Sequence, residues 1–361
     1  MQKRNKQVTV LTILSIICAI YGLVLIASAT YSTGSLNNVI IQGVAIVIGI
    51  AIMLLLKNID YELLLHLSKI FYILYNALLI LVLIVGTGRA ETGTNGWIAL
   101  GPVNIQPSEF AKIGFIISFG AHLQSVSSEI SKPKNILLLL LHLMLPLALI
   151  LLQPDYGTAM VFIFIAIIML FVAGLKLRYF FAAAGGFLVL APVIWLFLDE
   201  FQKNRILVFL NPELSPMGAG YNVIQSKLAV GSGMLWGKGL FKGSQIQMNF
   251  LPGKHTDFIF AVAGEELGFL GSLLIILLLF WIIFILIKNS VEIKKDAGGF
   301  ILSGIGAMLI FQCFENIGMS IGIMPVTGIP LPFFSYGGSS ALTTFISMGV
   351  ALSILKRKDH I

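Results

Sequence analysis

A histidine and a carboxylate two residues apart, His255 and Asp257, stand in the stretch Phe250–Glu266, FLPGKHTDFIFAVAGEE. A polar loop ends there and a long apolar run begins at Phe258. An ionisable group at the edge of hydrocarbon is costly, so function is the default reading for it. The competing reading is structural, because Thr and Asp are favoured helix N-caps and Asp257 precedes a helix-length segment.

Other polar residues fall where the chain is otherwise apolar. Glu109 and Lys112 are spaced i,i+3 on one helix face, which suits an ion pair or the wall of a site. Upstream, Asn95-Gly96-Trp97-Ile98 with Pro102 and Pro107 makes a loop constrained by turn residues. Trp97 also fits an aromatic-belt anchor. Gln153-Pro154-Asp155-Tyr156-Gly157 joins two apolar runs with almost no connection, and Asp155 suits a helix cap. Gln312, Glu315 and Asn316, at i, i+3 and i+4, form a polar face that must point inward, with interhelical hydrogen bonding as its default role. From Met324 to Ser340 the chain is rich in Pro, Gly and Ser. Irregular backbone beside a membrane is tolerated only against protein or a wet cavity.

The elements that must position these groups follow from composition. The 361 residues are 58% hydrophobic and 11% charged, less than half the charge of a globular domain. Apolar runs of about 20 residues match a bilayer-crossing helix. The expected fold is therefore an all-α polytopic membrane protein, one integral domain over residues 1–361. Ten spans are expected near 9–31, 38–56, 69–86, 108–124, 136–153, 157–173, 180–199, 258–287, 299–320 and 338–355. A large extracellular loop, about 200–257, lies between helices 7 and 8. No detachable signal peptide is expected, since Thr9 to Ala29 is long enough to span.

With the N-terminus inside, the inner segments hold Lys3, Arg4, Lys6, Lys57, Lys69, Lys132, Lys134, Lys176, Arg178, Lys288, Lys294, Lys295, Lys356, Arg357 and Lys358. These are fifteen of the 23 Lys and Arg, as the positive-inside rule requires for short loops. The large loop carries Lys203, Arg205, Lys227, Lys238, Lys242 and Lys254, which suggest either an anionic ligand on the outer face or a solvated surface. Within it, Ile224 to Val230 is patterned as an amphipathic helix with Gln225 and Ser226 on its polar side. Small residues at Ala261, Gly264 and Gly268 would let helices close in below Asp257. The two cysteines, Cys18 and Cys313, lie in apolar runs and make neither a disulfide framework nor a metal cluster. No Walker loop, GxGxxG, HExxH or nucleophile elbow occurs, and the distribution of the net charge of +7 does not suit nucleic acid.

The strings QPSEFAKIG (106–114), QPDYGTA (153–159), GAGYNVIQSKLAVGSG (218–233), LPGKHTDFIFAVAGEELG (251–268) and MPVTGIPLPFFSYGGSS (324–340) resemble the SEDS family of shape, elongation, division and sporulation proteins. The resemblance covers essentially the whole chain and leans toward the rod-shape, RodA-like branch. It implies a peptidoglycan glycosyltransferase that polymerises lipid II on the outer face of the bacterial cytoplasmic membrane, by inverting transfer with loss of undecaprenyl pyrophosphate, for cell elongation. Asp257 is then the catalytic residue. The substrate-binding set becomes Glu109, Lys112, Trp97, Arg205, Gln225, His255, Ser335, Tyr336 and Ser339, with Arg205, Lys112 and His255 as cations for the pyrophosphate. Implied partners are a class B penicillin-binding protein transpeptidase and other elongation-complex proteins. No cofactor is required by the sequence, and a divalent cation, Mg²⁺ or Mn²⁺, is left open. Gly253 departs from the family, which often has Glu there, and so does Asn95-Gly96 before Trp97. The competing functions are a lipid II flippase and a scaffold of the wall-synthesis complex.

Overall fold

The structure, a computed structural model, describes residues 2–32, 34, 36–88, 94–100, 103–198, 200–293 and 296–357. Pro102, Lys294, Lys295 and Lys358, named above, and residue 199, the end of the seventh expected span, lie outside the described residues. The chain begins with α1 (Gln2–Tyr31), α2 (Asn37–Leu56), α3 (Tyr61–His66) and α4 (Ser68–Val85), followed by a hairpin of β1 (Ile98–Leu100) and β2 (Val103–Ile105). Next come α5 (Pro107–Val126), α6 (Pro133–Leu151), α7 (Tyr156–Val172) and α8 (Leu177–Phe197). The large loop contains α9 (Glu200–Leu210), α10 (Ala219–Ser232) and α11 (Ser244–Gln247). The chain closes with α12 (Ile259–Glu292), α13 (Ala297–Ile321) and α14 (Gly338–Arg357).

Each of the ten expected spans is a helix. The reason is that backbone groups in hydrocarbon find partners only within a helix or a closed barrel. Seven of them, α1, α2, α4, α6, α12, α13 and α14, are long and apolar enough to cross a membrane, and α7 and α8 are shorter apolar helices. The tenth, α5, carries Ser108, Glu109, Lys112 and Ser118, all buried. Other helices rather than lipid surround those side chains, so α5 needs no apolar coat. The enclosed centre is α13 and α14, each 83% buried, against 22% for α4. On α8 the large side chains Phe181, Leu188, Val189 and Leu196 face outward, as a lipid-facing helix requires.

Three features differ from the sequence reading. The residues around Trp97 form a two-stranded hairpin, with Ile98 opposite Ile105 and Thr87 bridged to Trp97. About half of the large loop is helical, and its amphipathic segment runs longer than expected, over Ala219–Ser232. Gly268 is more than a small contact: its φ of 67° and ψ of −160° break α12. Leu235 and Gly237 reach the broken turn so closely that a Cβ on Gly268 would lie 2.3 Å from the Gly237 nitrogen. Phe269 N then donates to Met234 O at 2.8 Å, and Lys238 N to Glu265 O at 3.0 Å. The break thus offers backbone groups to which the large loop is stitched.

Candidate active site

Asp257 sits on the turn before α12, and the capping explanation does not hold for it. The N-cap of α12 is Phe258, and no side chain caps that helix. The carboxylate is half-buried, and Gly328 backs onto it: a Cβ built there would be 3.6 Å from Oδ2. Burial pushes the Asp257 carboxyl up from 3.8 to about 6, while the Arg205 guanidinium and the Thr256 side chain pull it down. The cation acting on Asp257 is therefore Arg205, carried in by α9, rather than Lys112. Arg205 also feels Asp155, so its charge is shared between two carboxylates, and its own burial weakens its hold on the proton.

The turn carrying Asp257 is held from outside by three successive carbonyls. Tyr336 N donates to His255 O at 2.9 Å. The Ser335 hydroxyl donates to Thr256 O at 2.6 Å. Asn316 Nδ2 donates to Asp257 O at 2.8 Å. The 324–337 segment is fixed in turn by Gln42 of α2, whose Oε1 accepts from Gly337 N at 3.0 Å. It passes α1 at Gly22, where a Cβ would lie 2.4 Å from Phe333 O. Gly253 has a φ of 65°, and its carbonyl accepts from Thr256 N and Phe258 N, each at 3.1 Å. The departure from the family's Glu therefore falls at a left-handed turn that glycine adopts at little cost.

The other side of the site is the junction of the 153–157 turn with the hairpin. Asp155 caps α7 by accepting from Thr158 N at 3.0 Å, and its second oxygen accepts from Gln106 Nε2 at 3.3 Å. Gly157 lies against Thr327, with a Cβ there 3.1 Å from Thr327 O. Asn95 N donates to Gln153 O at 3.2 Å, which anchors the hairpin loop beside the same turn. Trp97 in that loop is half-buried.

The remaining expected site residues divide into those free to meet a ligand and those already committed. Gln225 on α10 has a buried side-chain oxygen with no hydrogen-bond partner among the described residues. Tyr336 is half-buried with its ring 5.4 Å from that of His255. Its phenol stays protonated because burial raises its pKa. His255 is no cation at neutral pH: burial and the Lys254 charge hold its pKa below the usual value. Ser335 is committed to Thr256 O and Leu331 N, so it builds the site rather than facing a ligand. Ser339 accepts from Gln106 N at 3.1 Å and joins α14 to the start of α5. Lys112 is 1% exposed and its ammonium is 2.7 Å from Glu109 Oε1. In this conformation the pair is an internal strut and presents no surface to a pyrophosphate.

Several of the large-loop cations are likewise used internally. Lys203 pairs with Glu200 at 3.3 Å and Lys238 with Glu265 at 2.7 Å. Lys254 is buried and donates to Ser32 Oγ, Ile246 O and Asn249 Oδ1. The sequence reading passed over Glu265 and Glu266, both fully buried. Glu265 accepts from Gln245 N and Ile246 N, and Glu266 from Gln247 Nε2 and the Ser28 hydroxyl. Two adjacent charges inside an apolar run are a visible signal, since such groups need dedicated partners. Among the described residues, no group of three or more His, Cys, Asp or Glu is assembled that could hold a metal ion.

Similarity to known proteins was found along nearly the whole chain. The family model for FtsW, RodA and SpoVE, described as cell cycle protein, matches residues 8–360. Peptidoglycan glycosyltransferase MrdB of Escherichia coli (strain K12) is 34% identical over 349 residues, 96% of this chain and 92% of that protein. Stage V sporulation protein E of Bacillus subtilis (strain 168) is 38% identical over 309 residues, 85% of this chain and 84% of that protein. The crystal structure of the rod shape determining protein RodA from Thermus thermophilus superposes with a TM-score of 0.72 at 29% identity, covering 96% of both chains. A chain of a peptidoglycan synthase complex, solved for the structural coordination of polymerization and crosslinking, gives 0.82 at 30% identity, with 96% of this chain and 97% of that one covered.

Proposed function

We propose, on the premise that this chain belongs to the FtsW, RodA and SpoVE family and is a peptidoglycan glycosyltransferase of wall synthesis, that it polymerises lipid II with Asp257 as the general base. The observation that carries this reading is the state of Asp257. Its carboxylate caps no helix, its burial raises its basicity, and its backbone is pinned on three consecutive carbonyls.

In the proposed step, Asp257 takes the proton of the acceptor GlcNAc 4-hydroxyl as that oxygen attacks C1 of the donor MurNAc. The bond from C1 to the pyrophosphate oxygen breaks, and undecaprenyl pyrophosphate leaves with the electron pair. One displacement on an α-linked donor gives a β-1,4 bond, with inversion. Arg205 is the residue we assign to the developing pyrophosphate charge, since a half-buried, pre-placed guanidinium stabilises such charge with little reorganisation. Asp257 and Arg205 would attract each other at rest, and Arg205 would be drawn toward the leaving group as the proton neutralises Asp257. His255, neutral at this pH, offers a hydrogen bond rather than a charge.

The same proposal places the site on the outer face of the cytoplasmic membrane with both termini inside, following the distribution of Lys and Arg. It assigns the chain to elongation and gives it a class B penicillin-binding protein as transpeptidase partner. The likeness to a chain from a polymerising and crosslinking complex supports that pairing. The test is polymerisation of purified lipid II by the protein in liposomes, with and without the partner. Glycan chains that vanish with Asp257→Asn are expected. A folded protein that makes no chains, yet moves labelled lipid II between leaflets, would replace the transferase reading with a flippase.

A further inference from the structure

We infer that Asn316 is a positioning residue for Asp257, holding the base and the segment opposite it in one register through a single side-chain amide. The inference rests on the reading of Asp257 as the base. Asn316 lies on α13, is fully buried, and belongs to the polar face it forms with Gln312 and Glu315. Its Nδ2 donates to Asp257 O and to Ile329 O, each at 2.8 Å. Both hydrogens of the amide are thereby used, and both acceptors are backbone carbonyls of irregular segments.

Those two segments are the walls of the carboxylate. Asp257 carries it, and Gly328, the neighbour of Ile329, backs onto its Oδ2. On the other side of Gly328, the Thr327 hydroxyl donates to Glu315 Oε1 at 2.8 Å. One turn of α13 thus grips both flanks of Gly328 as well as the Asp257 backbone. A rigid helix is the right place for such a grip, because sites supported by regular elements hold their geometry better than sites on loops.

Among the described residues, no other hydrogen bond reaches the Asp257 carbonyl. The Asp257 carbonyl lies outside the helical ladder, since Ala261 N donates to Phe258 O instead. No side chain caps the start of α12. Ser335 and Tyr336 hold the two preceding carbonyls, so Asn316 completes the series at the residue that bears the base. A buried amide facing two carbonyl oxygens cannot be replaced by a group that only accepts, which makes the donor pair specific to the amide.

The experiment is steady-state polymerisation of lipid II by the full chain in detergent, with folded protein quantified by gel filtration and thermal unfolding. Asn316→Ala and the isosteric Asn316→Asp are expected to lower kcat by roughly 10²-fold, the cost of displacing a catalytic group by about 1 Å, while KM stays close to wild type. Asn316→Gln, which keeps the donors, should recover part of the loss. A kcat per folded molecule equal to wild type in Asn316→Ala and Asn316→Asp overturns the inference, and so does a loss confined to yield or to KM. If neither variant folds, Ser335→Ala decides, because it releases the Thr256 carbonyl and Leu331 N while the Asp257 carbonyl stays bound: a smaller fall in kcat supports positioning, and full kcat overturns it. Asp257→Asn is run alongside. A dead Asp257→Asn with a fully active Asn316→Asp sinks this inference alone, whereas an active Asp257→Asn sinks the reading beneath it.

Discussion

Replacing Asp257 by Asn should kill polymerisation and at the same time make the protein harder to unfold at neutral pH. Burial raises the Asp257 carboxyl from 3.8 to about 6, with Arg205's opposing attraction already included in that balance. At about 1.4 kcal/mol per tenfold change in proton affinity, the fold disfavours the ionised form by about 3 kcal/mol. The sign follows from proton counting. Between 3.8 and about 6 the folded state binds more protons at this site than the unfolded state, so stability falls as pH rises through that window and is flat above it. At pH 7 the wild type therefore bears the whole penalty. Asn, a neutral isostere of the protonated acid, does not. Thermal unfolding in one detergent at pH 7 and again near pH 4 measures this. The Asn variant should melt higher at pH 7, by an amount equivalent to about 3 kcal/mol, and the advantage should nearly vanish near pH 4. An Asn variant that melts lower at pH 7, or whose advantage does not depend on pH, refutes the account of a carboxylate kept basic at the expense of stability.

The same value governs the rate. Polymerisation should fall about tenfold per pH step below an acid limb near pH 6, since a general base must be ionised to act. Arg205→Gln removes the cation that favours the carboxylate, so the limb should move to higher pH. A pH–rate profile with an unmoved limb would separate Arg205 from Asp257. Lys112→Met leaves the Glu109 carboxylate buried and unpaired, which should cost about 3–5 kcal/mol in thermal unfolding. The double substitution Glu109→Leu with Lys112→Met should recover most of that, and a double variant as unstable as the single one would show that the pair is not the cause.

Much of this could be read from the chain because membrane physics leaves few choices. A run of apolar residues near 20 long has one stable conformation in hydrocarbon, so ten helices were foreseeable within a few residues of their ends. The i,i+3 spacing of Glu109 and Lys112 predicts a shared face, and the two do pair. Asp257 stood out because its position is costly, and Gln312, Glu315 and Asn316 because they share a polar face. The β-hairpin around Trp97 was not foreseen: strands of three residues give too little alternation to register against the Gly and Pro around them. Nor was the helical character of the large loop beyond Ile224–Val230, since α9 has no marked apolar stripe to announce it.

What the sequence determined by itself was where polar groups had to be accounted for: Asp257 at a boundary, Glu265 and Glu266 in an apolar run, Asn316 on an enclosed helix. Only the tertiary structure decided what answers each of them. Asn316 meets carbonyls 13 and 59 residues away, and Arg205 rather than Lys112 is the cation that acts on Asp257. Lys254 is spent on Ser32, Ile246 and Asn249. The cost of burying a charge or an amide is a property of the residue and its immediate neighbours, and so can be read locally. The partner that offsets it is usually a backbone group or a distant side chain, whose place depends on how all the helices pack together.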